Sequence, residues 1–169
     1  MKGRASAPAA GTILNALATG IGGAFAIDRE TTATVELTET GTVTGEIADT
    51  PEADTRLIER CVELVVESYG DGQGGWVQTE SEVPMAAGLK SSSAAANSTV
   101  LATLDALGCK CSKEAAVEIG IRAARDVGIT ITGCAAGAHA SMFGGAVIAD
   151  NTKNEPLGHA DVAWDVLVW

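Results

Sequence analysis

Pro84-Met85-Ala86-Ala87-Gly88-Leu89-Lys90-Ser91-Ser92-Ser93-Ala94 is the stretch on which the reading of this chain turns. Pro84 and Gly88 shape a loop, the small residues remove steric bulk, and Ser91 to Ser93 open a helix. That helix is expected to run from Ser91 to Leu107 and to end at Gly108. The start of a helix leaves its first N–H groups unpaired and carries partial positive charge. Three hydroxyls and several free amides there form a cradle suited to a phosphate chain, and Lys90 adds a full positive charge. The plain alternative is an ordinary Ser-capped helix after a Gly-rich turn. The pattern GxxxxGK[ST] does not fit, because Leu89 separates Gly88 from Lys90.

Upstream of this loop the chain reads mainly as strands. Ala24 to Asp28 is short and apolar, and Thr31 to Leu37 alternates, with Ala33, Val35 and Leu37 on one face. Thr42 to Ile47 continues the pattern, with Val43 and Ile47 inward. From Asp54 to Tyr69 the period becomes helical: Leu57, Cys61, Leu64 and Val65 recur at three and four, while Glu59, Glu63 and Glu67 point away. Trp76 to Ser81 is another strand. Downstream, Ser112 caps a helix that reaches Asp126. Ile129 to Thr132 reads as a brief extended piece, Phe143 to Ala149 as an apolar strand, and Trp164 to Trp169 as the start of another. Strands and helices without strict βαβ alternation point to an α+β fold.

Composition narrows the class. The chain has 169 residues and 46% hydrophobic content, enough for a core, which excludes disorder. Lys and Arg total 11 against 22 Asp and Glu, a net charge of −11 that repels phosphate backbones and argues against a nucleic-acid partner. The same balance, with five Lys, suits a protein kept soluble in concentrated salt. Four Cys without a CxxC pair, beside two His, do not make a structural zinc site; reduced thiols in a cytoplasmic protein are expected. No apolar run reads as a membrane span, and Pro8, Gly11 and Asn15 break the N-terminal stretch where a signal peptide would need continuity.

Pro-x-x-x-Gly-Leu-x-Ser-Ser-x-Ala, from Pro84 to Ala94, resembles the phosphate-binding motif of the GHMP small-molecule kinases. Gly3-Arg4-Ala5, Gly11-Thr12-Ile13-Leu14-Asn15-Ala16, Ala24-Phe25-Ala26-Ile27-Asp28 and the closing Trp164-Asp165-Val166-Leu167-Val168-Trp169 are similar to the archaeal shikimate kinases of that superfamily. The resemblance spans essentially the whole chain. It implies a two-lobed fold whose first lobe, like ribosomal protein S5 domain 2, occupies residues 1–169, with the second lobe missing. It implies ATP as co-substrate with Mg²⁺, shikimate as acceptor and shikimate 3-phosphate as product; homoserine or mevalonate is the alternative acceptor. ATP is then expected on Pro84, Met85, Ala86, Ala87, Gly88, Leu89, Lys90, Ser91, Ser92, Ser93 and Ala94. Gly11, Thr12 and Asp28 are weaker candidates for the acceptor, since a tight turn explains Gly11 equally well and a lone Asp at a strand end is usually a turn residue. Arg4 is a weaker candidate still.

One departure from the family bears on the chemistry. The archaeal enzymes resemble Thr-Gly-Ala-Phe-Asp-Asp-Ala where this chain reads Thr132-Gly133-Cys134-Ala135-Ala136-Gly137-Ala138. Ala136 and Gly137 thus replace the expected carboxylate pair. No catalytic base or metal ligand is assigned. His139 reads as a polar residue on a Gly/Ala-rich segment rather than a substitute base, and His159 as solvated in a polar loop. A non-catalytic nucleotide-binding lobe is the competing reading. An S5-like RNA-binding module is opposed by the net charge.

Overall fold

The two short strands read at Ala24–Asp28 and Thr31–Leu37 are parts of one long strand. The computed structural model of the chain describes residues 1–48, 50–84, 88–130 and 134–167. The first strand, β1 (Lys2–Leu14), forms an antiparallel pair with β2 (Ile21–Thr38). The pair shifts register between Pro8 and Ala10 and between Thr12 and Leu14. β3 (Val43–Ile47) lies parallel to β4 (Gly74–Ser81), and β4 pairs antiparallel with the second half of β2. β5 (Ala146–Asp150) pairs with the first half of β2 and with β6 (Glu155–Ala160). The sheet order is β3-β4-β2-β5-β6, with β1 on the remaining edge of β2.

Helices α1 (Arg56–Tyr69), α2 (Ser91–Leu107) and α4 (Ala135–Phe143) pack on this sheet, and α3 (Lys113–Asp126) touches only the other three. The alternation of β2 shows which face they cover: Ala33, Val35 and Leu37 are buried beneath them with Val77. On the opposite face Lys2, Arg4, Ser6 and Glu36 are exposed; there Lys2 Nζ pairs with Glu36 at 2.6 Å. α1 buries Leu57, Cys61, Leu64 and Val65, as its periodicity requires. Glu59, expected to point away, instead accepts from the Gly45 amide and the Thr55 hydroxyl, both at 2.8 Å. It thereby ties the first turn of α1 to β3.

Several sequence expectations hold closely. α2 has the bounds read from its pattern and ends at Gly108, whose φ of 66° is the left-handed geometry glycine tolerates. Ser112 caps α3, its Oγ accepting from the Ala115 amide at 3.2 Å. Others are corrected. The start of α2 is not Ser-capped: Lys90 is the N-cap residue, with no side-chain cap bond. Residues 135–143 form α4, so Phe143 closes a helix rather than opening a strand, and Gly144–Gly145 makes the turn into β5. Small residues had hidden this helix, because Ala, Gly, Ser and His carry almost no amphipathic contrast. His159 lies in β6, not in a loop, and meets the Gly144 carbonyl at 3.0 Å. Ile129 and Thr130 have no regular structure, and Ile131 and Thr132 lie outside the described residues. Trp164–Leu167 is likewise not a strand; Trp164 sets its ring edge-to-face on Phe25, centroids 5.8 Å apart.

The contact between α2 and β1 is unusually close. A Cβ placed on Gly3 would stand 2.2 Å from the Ala102 carbonyl oxygen and 2.3 Å from the Ala106 amide nitrogen, both helix backbone. Gly3→Ala is therefore expected to push α2 off the sheet and to cost about 1–3 kcal/mol of stability, as overpacking does. Urea denaturation of the variant beside the parent measures it, and an unchanged midpoint would refute the close packing.

Candidate functional site

The loop before α2 is held by backbone chemistry at both ends. Gly88 has φ +74°, a conformation that side-chain-bearing residues rarely adopt. Leu89 packs against Ala9, Val83 and Ala94, and its carbonyl accepts from the Ala10 amide at 3.1 Å, anchoring the loop to β1. Lys90 follows in a left-handed conformation, φ 51° and ψ 37°. Its carbonyl accepts from the Ser93 and Ala94 amides, closing the first turn of α2. Pro84 and Gly88 are exposed, Leu89 to Ser92 are half-buried, and Ser93 and Ala94 are buried. Met85, Ala86 and Ala87 lie outside the described residues.

This helix start stands between two recesses. One is a cavity of about 310 Å³ whose wall includes Thr12, Lys90, Ser92, Ser93, Asn97, Cys134, Gly137 and Asn151. The other is an apolar cleft of about 280 Å³ between the starts of α1 and α2, lined by Ile47, Leu57, Ile58 and Ala95. Ser92 and Ile129 border both. A polar hollow and an apolar slot thus adjoin across the N-terminus of one helix. Such a pair suits a ligand with a charged end and a flat apolar end.

Thr12 reaches the cavity wall, whereas Gly11 does not line it. A Cβ on Gly11 would meet the Phe25 ring at 2.4 Å, so the absence of a side chain there serves packing. Asp28 is exposed on a separate groove formed with residues 162–167, away from Lys90. Arg4 is exposed on the open face of the sheet.

Three residues that sequence reasoning passed over stand in the cavity wall. Asn97 is fully buried, and its Nδ2 donates to the Ala138 carbonyl at 2.9 Å, tying α2 to α4. Its spacing of four from Ser93 on one helix face was the signal available. Asn151 accepts from the Ala136 amide at 3.1 Å and serves the first turn of α4 from a distant loop. Nothing in the sequence marked that contact. Cys134, at the N-cap position of α4, has its thiol pKa pushed up by burial. All four cysteines are free.

The fold and this loop define the class: an α+β lobe that carries a Gly-Leu-x-Ser-Ser turn into a buried helix. The family described as GHMP kinases N terminal domain matches residues 56–145, and the chain belongs to it. The shikimate kinase of Halobacterium salinarum is 60% identical over 173 residues, covering 100% of this chain and 61% of that protein. The shikimate kinase of Methanococcoides burtonii is 52% identical, covering 99% and 58% respectively. The chain therefore spans about three-fifths of the length of these relatives. Among solved structures, homoserine kinase from Cytophaga hutchinsonii superposes with a TM-score of 0.73 at 19% identity, covering 87% of this chain and 48% of that one. Lactococcus lactis galactokinase complexed with galactose gives 0.72 at 16%, covering 92% and 46%. At such identities these structures show the shared fold.

α4, which forms one wall of the cavity, also carries a buried histidine. His139 is stacked on Phe143 with ring centroids 5.8 Å apart, and its Nε2 has no hydrogen-bond partner. Burial lowers its pKa below the ordinary 6.5, opposed by the Asn154 backbone and by Glu114 and Glu118 of α3. The unfolded chain then binds more protons than the folded one just below that value. Stability present at neutral pH should fall as pH drops through the window beneath 6.5. Urea melts from about pH 7.5 to about pH 5.5 should show this loss in the parent and a flatter profile in His139→Gln. Equal slopes would mean that His139 does not titrate between the two states.

Proposed function

We propose that this chain is the nucleotide-binding N-terminal portion of an ATP-dependent shikimate kinase, acting in the cytoplasm on small molecules. The observation that carries this reading is the start of α2, where Lys90 and Ser91 to Ser93 separate a polar cavity from an apolar cleft. The adenine base fits the apolar cleft, and the triphosphate crosses the Gly88–Ala94 turn toward the cavity. We assign Thr12, which lines the cavity, to the acceptor, with homoserine or mevalonate as the alternative to shikimate. The 60% identity to a protein named shikimate kinase supports shikimate as that acceptor.

Phosphoryl transfer is mostly positioning and charge neutralisation. In this chain Lys90 supplies a point charge, the helix start supplies amides and a partial positive charge, and Ser92 and Ser93 supply hydroxyls. Mg²⁺ is implied by the family, and the lining does not fit it. Such an ion is held through one or two carboxylates together with substrate phosphates; no Asp or Glu stands among the described residues of the cavity wall, and Asp54 on the adjoining cleft is paired with Arg56. No group of three or more His, Cys, Asp or Glu among the described residues suits a metal either. The second reading, a lobe that binds nucleotide without turning it over, draws on the same observation, with Ala136 and Gly137 at the start of α4.

Calorimetry with a non-hydrolysable ATP analogue tests the binding half. Gly88→Val should weaken binding about tenfold or more, because a β-branched residue is strained at φ +74°. Unchanged affinity would place the nucleotide elsewhere. ADP release with shikimate tests the chemistry, on the 169-residue chain alone and joined to the remaining portion of the Halobacterium salinarum protein. Turnover is expected to be very slow in both and to rise when Ala136→Asp and Gly137→Asp are introduced into the joined chain. Positioned general bases contribute about 10²–10⁴-fold. A short chain that works at about 1–100 per second would overturn the argument.

A further inference from the structure

We propose that the cavity between the starts of α2 and α4 is an anion site that holds a phosphate group directly, without a divalent cation. The inference rests on the nucleotide reading for the source of the phosphate, and on this chain's own residues for the site.

The charge in the cavity is one-sided. Lys90 is the only Lys or Arg among its described lining residues, and none of them is Asp or Glu. Desolvation raises the pKa of the half-buried Cys134 thiol, which disfavours a thiolate at this wall. Two helices begin at this wall, α2 after Lys90 and α4 after Cys134; neither N-cap side chain closes its helix end, although Asn151 already takes the Ala136 amide of α4. Each helix start adds partial positive charge of the same sign as Lys90. In a chain of net charge −11 this is a local positive hollow in an acidic field.

A second, independent feature points into it. Ser93 is 3% exposed and its Oγ has no hydrogen-bond partner. A buried hydroxyl left without a partner is costly, and it marks a place where a ligand completes the structure. Ser93 faces Gly137 across the hollow: a Cβ built there would stand 3.2 Å from Ser93 Oγ and 3.3 Å from Lys90 Cδ. A side chain at 137 would occupy the gap between the hydroxyl and the lysine stem. A carboxylate there would neutralise Lys90 and call for a cation to bridge it to phosphate. With Gly137 the gap stays open, Lys90 keeps its charge for the ligand, and Ser93 Oγ is free to donate.

The test uses the intact chain and inorganic phosphate as the probe. Thermal melts and calorimetry are run in EDTA and in magnesium chloride, with the non-hydrolysable ATP analogue as a parallel arm. Phosphate should raise the melting temperature of the parent equally in both buffers. In EDTA, Gly137→Asp should weaken phosphate about tenfold or more, since a full charge within a few ångströms acts through a partly buried medium. Gly137→Ala, whose Cβ takes part of the gap without adding charge, should weaken phosphate clearly less than Gly137→Asp. Ser93→Ala should weaken phosphate in both buffers. Phosphate binding that requires magnesium, absence of binding, or equal losses for Gly137→Ala and Gly137→Asp would each overturn the proposal. If phosphate binds and the analogue does not, the anion site stands and the nucleotide reading falls. If the analogue binds only with magnesium and phosphate does not bind in EDTA, the nucleotide reading stands and this inference falls.

Discussion

The close seat of α2 on β1 is the constraint on which the rest of the molecule depends. Gly3 admits helix backbone within reach of strand backbone, and Ala102 and Ala106 bring nothing larger to the contact. A seat made of backbone and methyl groups has little room to slide, because close-packed interiors resist small displacements. It sets the axis of α2, and with it the place where that helix begins. Leu89 secures the same point from the other side through Ala10. The loop thus inherits its position from two strand contacts rather than from its own sequence.

The site built on that point has an economy of charge. The chain is strongly acidic, yet the cavity wall holds one lysine, two helix starts, neutral hydroxyls and amides, and a thiol. α4 is drawn into the wall by Asn97, which reaches across from α2, and by Asn151, which serves its first turn from the β5–β6 turn. Both are buried amides whose contacts specify one arrangement of the two helices. Where relatives of the family are expected to place carboxylates, this chain places Ala136 and Gly137. The result is a hollow whose described lining carries one lysine and no carboxylate.

Local signals carried a large part of this architecture. α2 was legible to its exact bounds because Gly88, the serine run and Gly108 punctuate it, and α3 because Ser112 is a strong cap. The α+β class followed from the switch between period two and period three to four, and the turn into α2 from Gly88 and the serine run. α4 was invisible for a physical reason: a helix buried on every side needs no amphipathic stripe, so Ala, Gly, Ser and His left no period to read. β6 was missed because an exposed edge strand with Pro156 and Gly158 looks like a turn.

By itself, then, the sequence determined the composition of the loop, the helix behind it, the acidic surface and the absence of carboxylates at 136 and 137. Those are properties of neighbouring residues, set by backbone preferences and side-chain chemistry within a few positions. Only the tertiary structure decided that Asn97, Cys134, Gly137 and Asn151 meet Lys90 and Ser93 around one cavity, and that Asp28 stands apart from it. Such meetings depend on how helices seat on the sheet, and that seating rests on contacts, such as Gly3 against Ala102, a hundred residues apart in the chain.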